Sequence, residues 1–181
     1  MIVVKVGGSL YDLPQLGQQL RSCLACLGDP DWLLVPGGGP AADAIRAYDR
    51  DQHLGPVRAH WLALRACTLN AHFLMELLPE CRLLADPQQC RGPCILDPFA
   101  FAQADEGRPG CLPHCWDATS DSVAARVAQV VGAPLILLKS IDVPANGSLD
   151  EAAQHGVVDP VLPRLVAATG LKVRILNLRS L

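Results

Sequence analysis

Apolar residues along this chain occur either in short unbroken runs or in longer runs that repeat every three to four residues, and the two kinds alternate. The short runs, rich in Val, Leu and Ile, predict buried β-strands, whereas the periodic runs predict amphipathic helices. A strand, a glycine turn and a helix follow each other twice near the start of the chain. This order is typical of an α/β protein with a mainly parallel sheet.

The same pattern predicts the individual elements. Residues 97–113 are rich in Pro, Gly and acidic residues, so they predict a loop or lid with at most one turn of helix near 99–102. Residues 140–144 are expected to turn the chain into a polar segment that contains Asn146 and Gly147. Strands are predicted at 2–6, 32–35, 82–84, 94–96, 135–139 and 173–176, and helices at 13–27, from Ala41 onward, and at 56–78, 123–131 and 161–169.

The helix predicted at 56–78 has a broad apolar surface. Such a helix can be buried on two sides, against the sheet and against a second subunit. Packing in the core alone is an equally good interpretation, so a homodimer through this helix stays one of two alternatives. One face carries Leu62, Ala66, Leu69, Phe73 and Leu77, and the surface is widened by Trp61, Leu64 and Met75.

A lysine interrupts the first apolar run. Lys5 lies in the predicted strand 2–6, which leads into Gly7, Gly8 and Ser9. A buried charge needs a partner, an anion or access to solvent, and adjacent glycines let backbone N–H groups approach the same anion. Lys5 and this turn are therefore placed to bind a phosphate group. The alternative is an edge strand whose lysine reaches solvent.

A second glycine turn, Gly37 to Gly39 between two prolines, ends the next predicted strand. It matches neither the P-loop pattern nor the GxGxxG pattern of dinucleotide folds. In a parallel sheet both turns fall at the carboxyl edge of the strands, where ligands bind. Two glycine turns at one edge, one of them beside a strand lysine, indicate an anion site more strongly than either turn alone.

The segment 114–122 opens the helix predicted at 123–131. Thr119, Ser120 and Asp121 are all suitable N-caps, although one cap would be enough. The N-terminus of a helix favours a bound anion, and the additional aspartate is free to hold a lysine or a metal-bound phosphate. Lys139, at the end of the predicted strand 135–139, is a second lysine in a comparable position.

The amino-acid composition favours a folded, soluble protein over a disordered, nucleic-acid-binding or membrane protein. The chain of 181 residues is 50% hydrophobic and 18% charged, which suits one folded domain and excludes disorder. A net charge of −3 provides no basic surface for nucleic acid or an anionic membrane. Without a membrane-length apolar run or a signal-like start, a soluble cytoplasmic protein is expected.

Eight cysteines in a protein of this kind are expected to be reduced thiols. One grouping has spacings that zinc accepts, because Cys90 precedes Cys94, and Cys111 precedes Cys115 beside His114. These spacings fit the usual zinc patterns only loosely, so free cysteines are favoured over a metal site.

Four motifs resemble the amino acid kinase family in order and spacing. They are KVGGSL at 5–10, VPGGG at 35–39, TSDS at 119–122 and LILLKSIDV at 135–143. The family includes the acetylglutamate, aspartate and uridylate kinases. More narrowly, HCWDATSDS at 114–122, VDPVLPRL at 158–165 and the short length resemble the small branch that acts in methanofuran biosynthesis. That branch contains the kinase for [5-(aminomethyl)furan-3-yl]methyl phosphate.

The resemblance implies a three-layer sandwich of helices around a mainly parallel sheet, built as a single domain from residues 1–181. It also implies an ATP- and Mg²⁺-dependent transfer of the γ-phosphoryl group to a carboxylate or phosphate oxygen, and a homodimer. Three residues match the catalytic positions: Lys5, Asp121 and Lys139. Residues matching the nucleotide and phosphate positions are Gly7, Gly8, Ser9, Ser140 and Asp142, and those matching the acceptor site are Gly37, Gly38, Gly39, Thr119 and Ser120.

The chain departs from the family in two places. Many members carry a lysine near the start of a late helix, where this chain has Arg164, and a planar guanidinium reproduces a point charge only loosely. The segment between Lys139 and Val157, where relatives build much of the adenine pocket, is short. Nucleotide affinity is then expected to be weak, or the pocket to be completed by Lys172, Arg174 or a partner.

The favoured function is phosphorylation of a small phosphomonoester to a pyrophosphate, with the aminomethylfuran phosphate as the expected acceptor. Its amino group would meet an acid near the acceptor turn, either Asp43 or Asp117, although both also fit ordinary surface acids. One alternative is a kinase with a carboxylate acceptor. The other is a non-catalytic protein that binds a nucleotide or oxyanion, because a fold alone does not establish activity.

Overall fold

The computed structural model describes residues 1–142 and 147–181, and a single sheet runs through it. Its strands are β1 (Ile2–Val6), β2 (Trp32–Pro36), β3 (Arg82–Leu84), β4 (Pro93–Leu96), β5 (Leu135–Lys139) and β6 (Val173–Asn177). They lie in the order β3-β4-β2-β1-β5-β6, and every neighbouring pair is parallel. The predicted α/β fold with a mainly parallel sheet is confirmed.

Helices cover both faces of the sheet. They are α1 (Leu16–Cys26), α2 (Gly39–Gln52), α3 (Pro56–Leu77), α4 (Pro98–Asp105), α5 (Ser120–Val131), α6 (Leu149–Gln154) and α7 (Leu162–Thr169). One core cluster lies between the sheet and α5, and a second lies between the sheet and α1 with the C-terminal half of α3. The three-layer arrangement implied by the resemblance is therefore confirmed.

Successive residues of each central strand alternate between these two cores. Val3 of β1 and Leu137 of β5 belong to the core under α5, whereas Val4 and Leu138 belong to the core on the other face. A strand buried on both faces is apolar at nearly every position, as these two strands are apart from Lys5 and Lys139. The same alternation places Lys5 and Lys139 on the α5 face, because each is two residues beyond a residue of that core.

Two helix boundaries differ from the sequence prediction. Helix α1 begins at Leu16 and not at residue 13, because Gln15 adopts a left-handed backbone conformation with φ of 57°. Helix α5 begins at Ser120, three residues before the predicted start, because Thr119 serves as its N-cap. This earlier start puts Asp121 inside the first turn of α5.

The predicted loop at 97–113 contains a helix of eight residues, so the expectation of at most one turn was wrong. Asp97 caps α4 by accepting a hydrogen bond from the N–H of Ala100, and Pro98 occupies the first turn, where its missing N–H costs nothing. Phe101 is buried and fixes α4 to the core.

Helix α6 lies in the predicted polar segment and starts at a capping box formed by Ser148 and Glu151. Of the turn and polar segment predicted there, Val143, Pro144 and Asn146 lie outside the described residues.

Of the two interpretations of the apolar surface of α3, packing in the core alone is contradicted for two of its residues. Leu69 is 61% exposed and Phe73 is 40% exposed, whereas Leu64 is buried in the core. Small residues face the sheet instead, and Asn70 is buried among them. The buried positions of α3 are Ala59, His60, Leu64, Ala66, Cys67, Asn70, Ala71 and Leu74. Among the helices of the two described ranges, none combines the length and apolar character that crossing a membrane requires.

Candidate active site

Lys5 and Lys139 meet Asp121 at the carboxyl edge of the sheet. Lys5 pairs with Leu137 across β1 and β5, so Lys139 lies two residues further along on the same face. The Nζ atom of Lys5 is 2.8 Å from Asp121 Oδ1, and the Nζ atom of Lys139 is 2.9 Å from Oδ1 and 2.7 Å from Oδ2. All three residues are less than 10% exposed. The structure thus brings the three predicted catalytic residues together.

The cluster itself carries a net positive charge in a buried position. Two ammonium groups share the carboxylate of Asp121, and the buried carboxylate of Asp159 adds a negative charge that acts on Lys139 without direct contact. Burying charge without direct pairing is costly, and a bound anion would give the two lysines a second direct partner. The Lys5–Asp121–Lys139 cluster is therefore suited to binding a group such as phosphate.

The neighbouring charges shift two pKa values in this cluster. Burial acts to raise the pKa of Asp121, but the charges of Lys5 and Lys139 outweigh it and hold that pKa below its usual value. Burial, followed by repulsion from Lys5, lowers the pKa of Lys139 to about 8, and Asp121 offsets this only in part. Asp121 is therefore ionised at neutral pH, and Lys139 titrates close to neutral pH.

The two glycine turns are in direct contact with each other. A Cβ atom at Gly8 would lie 2.6 Å from the Cα of Gly39, and one at Gly37 would lie 2.6 Å from the backbone N of Gly8. Any larger residue would force the turns apart. Asn70 donates hydrogen bonds of 2.7 Å to the carbonyl oxygens of Gly37 and Gly38, which anchors the second turn to α3.

The second turn leads directly into α2, whose first N–H groups have no acceptor within the helix. Such a helix start favours a negative charge nearby. The charge of the lysine cluster and the positive end of the α2 dipole therefore both favour a bound anion.

Two cavities meet at the lysine cluster. The larger, of about 480 Å³, extends from Lys5 and Lys139 towards α2, α3 and the segment before α5. The smaller, of about 170 Å³, extends over the first glycine turn and the end of β5. Both cavities are lined by Lys5, Gly8, Ser9, Lys139, Gly156 and Val157. A group held by the two lysines is thus accessible from both sides.

Most of the other predicted site residues line one of these cavities. Gly7, Ser9 and Ser140 line the smaller one, and the hydroxyl groups of Ser9 and Ser140 are 2.8 Å apart. Gly38, Gly39, Thr119 and Ser120 line the larger one.

Two predicted site residues line neither cavity. Gly37 lies behind the second turn, where its carbonyl oxygen accepts the hydroxyl of Tyr11 and the amide of Asn70. The carboxylate of Asp142 accepts a hydrogen bond of 3.0 Å from Asn177 and so links the end of β5 to β6.

The larger cavity also contains side chains that the sequence did not identify as functional. The indole of Trp116 donates a hydrogen bond of 2.8 Å to Asp49, and the guanidinium of Arg46 lies 4.2 Å from the centre of the Trp116 ring. His60 also lines this cavity, and burial, followed by the charge of His114, lowers its pKa to about 4. The cavity lining therefore includes an indole ring and an imidazole that is uncharged at neutral pH.

Asp159 is a further residue that the sequence did not identify. Its carboxylate is buried beside the larger cavity and accepts hydrogen bonds from two separate segments. Its position before a Pro and a helix indicated at most a local cap. The donors are the N–H and hydroxyl of Thr119, the N–H and hydroxyl of Ser122, and the N–H groups of Val161 and Leu162.

The basic residues considered as substitutes for the late-helix lysine or as parts of the adenine pocket do not line the two cavities at the lysine cluster. Arg164 is exposed on α7 and lines neither cavity. Lys172 precedes β6 and therefore lies at the opposite edge of the sheet, where it borders a different cavity. Arg174 is exposed and pairs with Ile136 in the body of the sheet. The expectation that Lys172 or Arg174 completes the nucleotide site is therefore wrong for Lys172 and has no support for Arg174.

The cysteines considered for zinc are placed as follows. Cys90 and Cys94 are buried, and their thiols donate to backbone carbonyl oxygens. Burial raises the pKa of Cys90 to about 12. Cys111 and Cys115 are half-buried. Within residues 1–142 and 147–181, no group of three or more His, Cys, Asp or Glu side chains is arranged to hold a metal ion.

The fold is similar to that of solved uridylate kinases. Uridylate kinase from Archaeoglobus fulgidus matches with a TM-score of 0.68 and 17% identity, over 98% of this chain and 91% of that one. UMP kinase from Bacillus anthracis matches with a TM-score of 0.63 and 13% identity, over 98% and 87%. UMP kinase from Ureaplasma parvum matches with a TM-score of 0.62 and 13% identity, over 97% of this chain and 88% of that one.

Sequence comparison gives no further assignment. No protein-family model matches this chain, and no curated protein matches it. At identities of 13–17% the structural likeness shows a common fold. A common fold does not by itself establish a common reaction.

Proposed function

We propose that this chain, one amino acid kinase-like domain of residues 1–181, is an ATP-dependent kinase that phosphorylates a small phosphomonoester to a pyrophosphate. The observation that carries the proposal is the buried Lys5–Asp121–Lys139 cluster at the junction of two cavities. The solved neighbours are named as kinases of UMP, itself a phosphomonoester, which supports a phosphate acceptor over a carboxylate.

In the proposed reaction, an oxygen of the acceptor phosphate attacks the γ-phosphorus of ATP. The new P–O bond forms as the bond from the γ-phosphorus to the β,γ-bridging oxygen breaks, and ADP leaves with that oxygen. Negative charge is spread over the transferring group, so fixed cations lower the barrier. Lys5 and Lys139 supply these cations, and Asp121 holds both in place.

The two cavities divide the substrates between them. The smaller cavity, over Gly7 and Ser9, would hold the phosphates of ATP, and the larger one would hold the acceptor near Gly38 and Thr119. Both reacting groups are then close together and oriented, which is the main contribution an enzyme makes to phosphoryl transfer. Mg²⁺ would arrive with the nucleotide, because this ion is commonly held through substrate phosphates and water.

The resemblance of residues 114–122 and 158–165 to the methanofuran branch supports the aminomethylfuran phosphate as the acceptor. The test is to incubate purified protein with ATP, Mg²⁺ and this acceptor, or with UMP in its place. Mass spectrometry should show a product one phosphoryl group heavier than the aminomethylfuran phosphate. An acyl phosphate trapped by hydroxylamine from a carboxylate substrate, or ATP binding without any product, would contradict the proposal.

The pH profile follows from the state of Lys139. Its pKa is lowered to about 8, so the ammonium form is present below that pH and is lost as the pH rises through it. Because the charged form stabilises the transferring group, kcat/KM for ATP is expected to fall above about pH 8. The measurement is kcat/KM from about pH 6 to about pH 10. A profile that stays flat to the upper limit would show that Lys139 does not titrate in this range or does not contribute.

An amino group on the acceptor would be bound by Asp43. Asp43 and Asp117, the two acids considered, are both exposed, but Asp43 lines the larger cavity and Asp117 lines neither. Asp43→Asn is expected to raise KM for the aminomethylfuran phosphate about tenfold, as loss of a charged hydrogen bond does. KM for ATP should not change. Asp117→Asn is the matched control, and an unchanged acceptor KM in Asp43→Asn would remove this role.

A homodimer through α3 remains part of the proposal, with different contact residues. Leu64 is buried, so replacing it together with Trp61 would damage the core. The exposed apolar residues Leu69 and Phe73 form the accessible face. The wild type is expected to have twice the chain mass of 19.3 kDa in solution, and the double variant Leu69→Ser, Phe73→Ser the mass of one chain. Val57→Ser on the same helix is the control, and a monomeric wild type would refute the dimer.

A further inference from the structure

Asp159 is the most heavily hydrogen-bonded side chain near the lysine cluster. It is 5% exposed, and each carboxylate oxygen accepts three hydrogen bonds. Oδ2 accepts from the N–H and hydroxyl of Thr119 and from the N–H of Ser122, all at 2.9 Å. A buried carboxylate with this many donors is held in one orientation, because any movement leaves several donors without an acceptor.

These hydrogen bonds connect two segments that border the site. Thr119 and Ser122 flank Asp121 in the first turn of α5. The segment 156–160, which includes Asp159, lines the larger cavity, and its Gly156 and Val157 also line the smaller one. Asp159 thus joins the turn that carries Asp121 to a segment shared by both cavities.

The position of Asp121 depends on that turn. Its carboxylate must reach Nζ atoms on two different strands at 2.7 to 2.9 Å. The side chain of Asp121 follows the backbone of the first turn of α5. A small rotation of that turn would therefore break its contact with Lys5 or its contact with Lys139. Small misplacements of groups that align a reaction have large effects on rate.

We infer that Asp159 is the positioning residue of this site, which fixes the first turn of α5 so that Asp121 aligns Lys5 and Lys139. The inference rests on the proposed phosphoryl transfer. Asp159 positions the lysines through Asp121, and its negative charge also favours the ammonium form of Lys139. Ser122→Ala, which loosens the turn and keeps that charge, separates the two effects. Its role differs from that of an ordinary helix cap, because it accepts hydrogen bonds from the turn of α5 and from the start of α7 at once.

The chain provides a matched control for this inference. Asp105 is also a buried carboxylate, 5% exposed, and it binds α5 through Arg126, with contacts of 2.8 Å to each carboxylate oxygen. It does not line either cavity at the lysine cluster. Asp105→Asn therefore removes a comparable buried contact to the same helix without affecting the turn at Asp121.

The test compares Asp159→Asn with Asp105→Asn at a temperature at which both are folded by circular dichroism. Both variants are expected to unfold at lower temperature than the wild type. Asp159→Asn should lower kcat about tenfold to a hundredfold, whereas Asp105→Asn should change kcat by less than about twofold. If kcat falls equally in both, or in neither, Asp159 is structural only and the inference is overturned.

Ser122→Ala is the second variant, in case Asp159→Asn does not fold. It removes the hydroxyl that donates to Asp159 Oδ1 at 2.5 Å and leaves the carboxylate in place. We expect a several-fold fall in kcat, and an unchanged kcat would contradict the inference.

Binding of inorganic pyrophosphate, measured by calorimetry, provides a readout that does not need turnover. Asp159→Asn is expected to weaken this binding about tenfold and Asp105→Asn to leave it unchanged. Equal binding by both variants would overturn the positioning role. A wild type that binds pyrophosphate but transfers no phosphoryl group would instead refute the proposed function, so the two failures are distinguishable.

Discussion

Asp121→Asn is expected to destabilise the protein by about 3–5 kcal/mol, the usual cost of removing one partner from a buried ion pair. The substitution keeps the shape of the side chain but leaves the ammonium groups of Lys5 and Lys139 buried together without a directly bonded counter-charge. Each then repels the other at positions that are less than 10% exposed, where solvent screens charge only in part. Urea denaturation at neutral pH measures the loss as a lower midpoint with an unchanged slope.

The exposed ion pair between Arg21 and Glu80 serves as the control for Asp121. Both side chains are well exposed, at 47% and 40%, so solvent screens the interaction. Glu80→Gln is expected to cost less than about 1 kcal/mol. If Asp121→Asn were as mild as Glu80→Gln, the two lysines would have to find another counter-charge, and the cluster described above would not be what holds them.

Lys5→Met is expected to have the opposite effect, with a stable fold and a severe loss of activity. Removing Lys5 leaves Lys139 paired with Asp121 at 2.7 Å, a neutral arrangement without repulsion between two lysines. The transferring group, however, loses one of its two cations, and kcat is expected to fall by about 10²–10³-fold or more. ADP production under saturating ATP and acceptor measures this loss.

Lys172→Met is the matched control for Lys5→Met. Lys172 lies at the other edge of the sheet, beyond reach of the lysine cluster, so its replacement should leave kcat unchanged. A Lys5→Met variant that keeps wild-type turnover would remove Lys5 from the mechanism. Lys5→Arg is not expected to restore activity, because a planar guanidinium needs more space than the buried ammonium does.

The positions of Lys5 and Lys139 show which part of the site is encoded locally. Lys139 ends an unbroken apolar run and Lys5 stands one residue before the end of another, so the place of each near the carboxyl edge of a buried strand follows from the sequence. Which face of the sheet each side chain takes depends on strand register, since a shift of one residue reverses it. The pairing of Lys5 with Leu137 sets that register, and it joins strands far apart in the chain.

Asp159 shows which part of the site is not encoded locally. An aspartate followed by proline and a helix predicts a cap for that helix, and Asp159 does accept the N–H groups of Val161 and Leu162. Its other donors, on Thr119 and Ser122, are about forty residues away in sequence and come close only in the folded protein. No spacing pattern encodes such a contact.

The burial of α3 has a similar origin. Hydrophobic periodicity placed Leu69 and Phe73 on one apolar face, and it left open whether the sheet or a second subunit covers them. The helix instead turns its small residues to the sheet, because close approach lets Asn70 reach the carbonyl oxygens of Gly37 and Gly38. The need for a buried Asn70 thus comes from the second glycine turn, which lies more than thirty residues earlier in the sequence.

The contact between the two glycine turns has a consequence for how substrate choice can change in this fold. Gly8 and Gly39 touch through main-chain atoms alone, so no side-chain rotation alters the distance between the two turns. In the proposed reaction, the gap between the donor phosphate and the acceptor phosphate would then be a property of the polypeptide backbone. Changes at other residues of the larger cavity, such as Arg46 and Trp116, would admit new acceptors without altering the reacting distance.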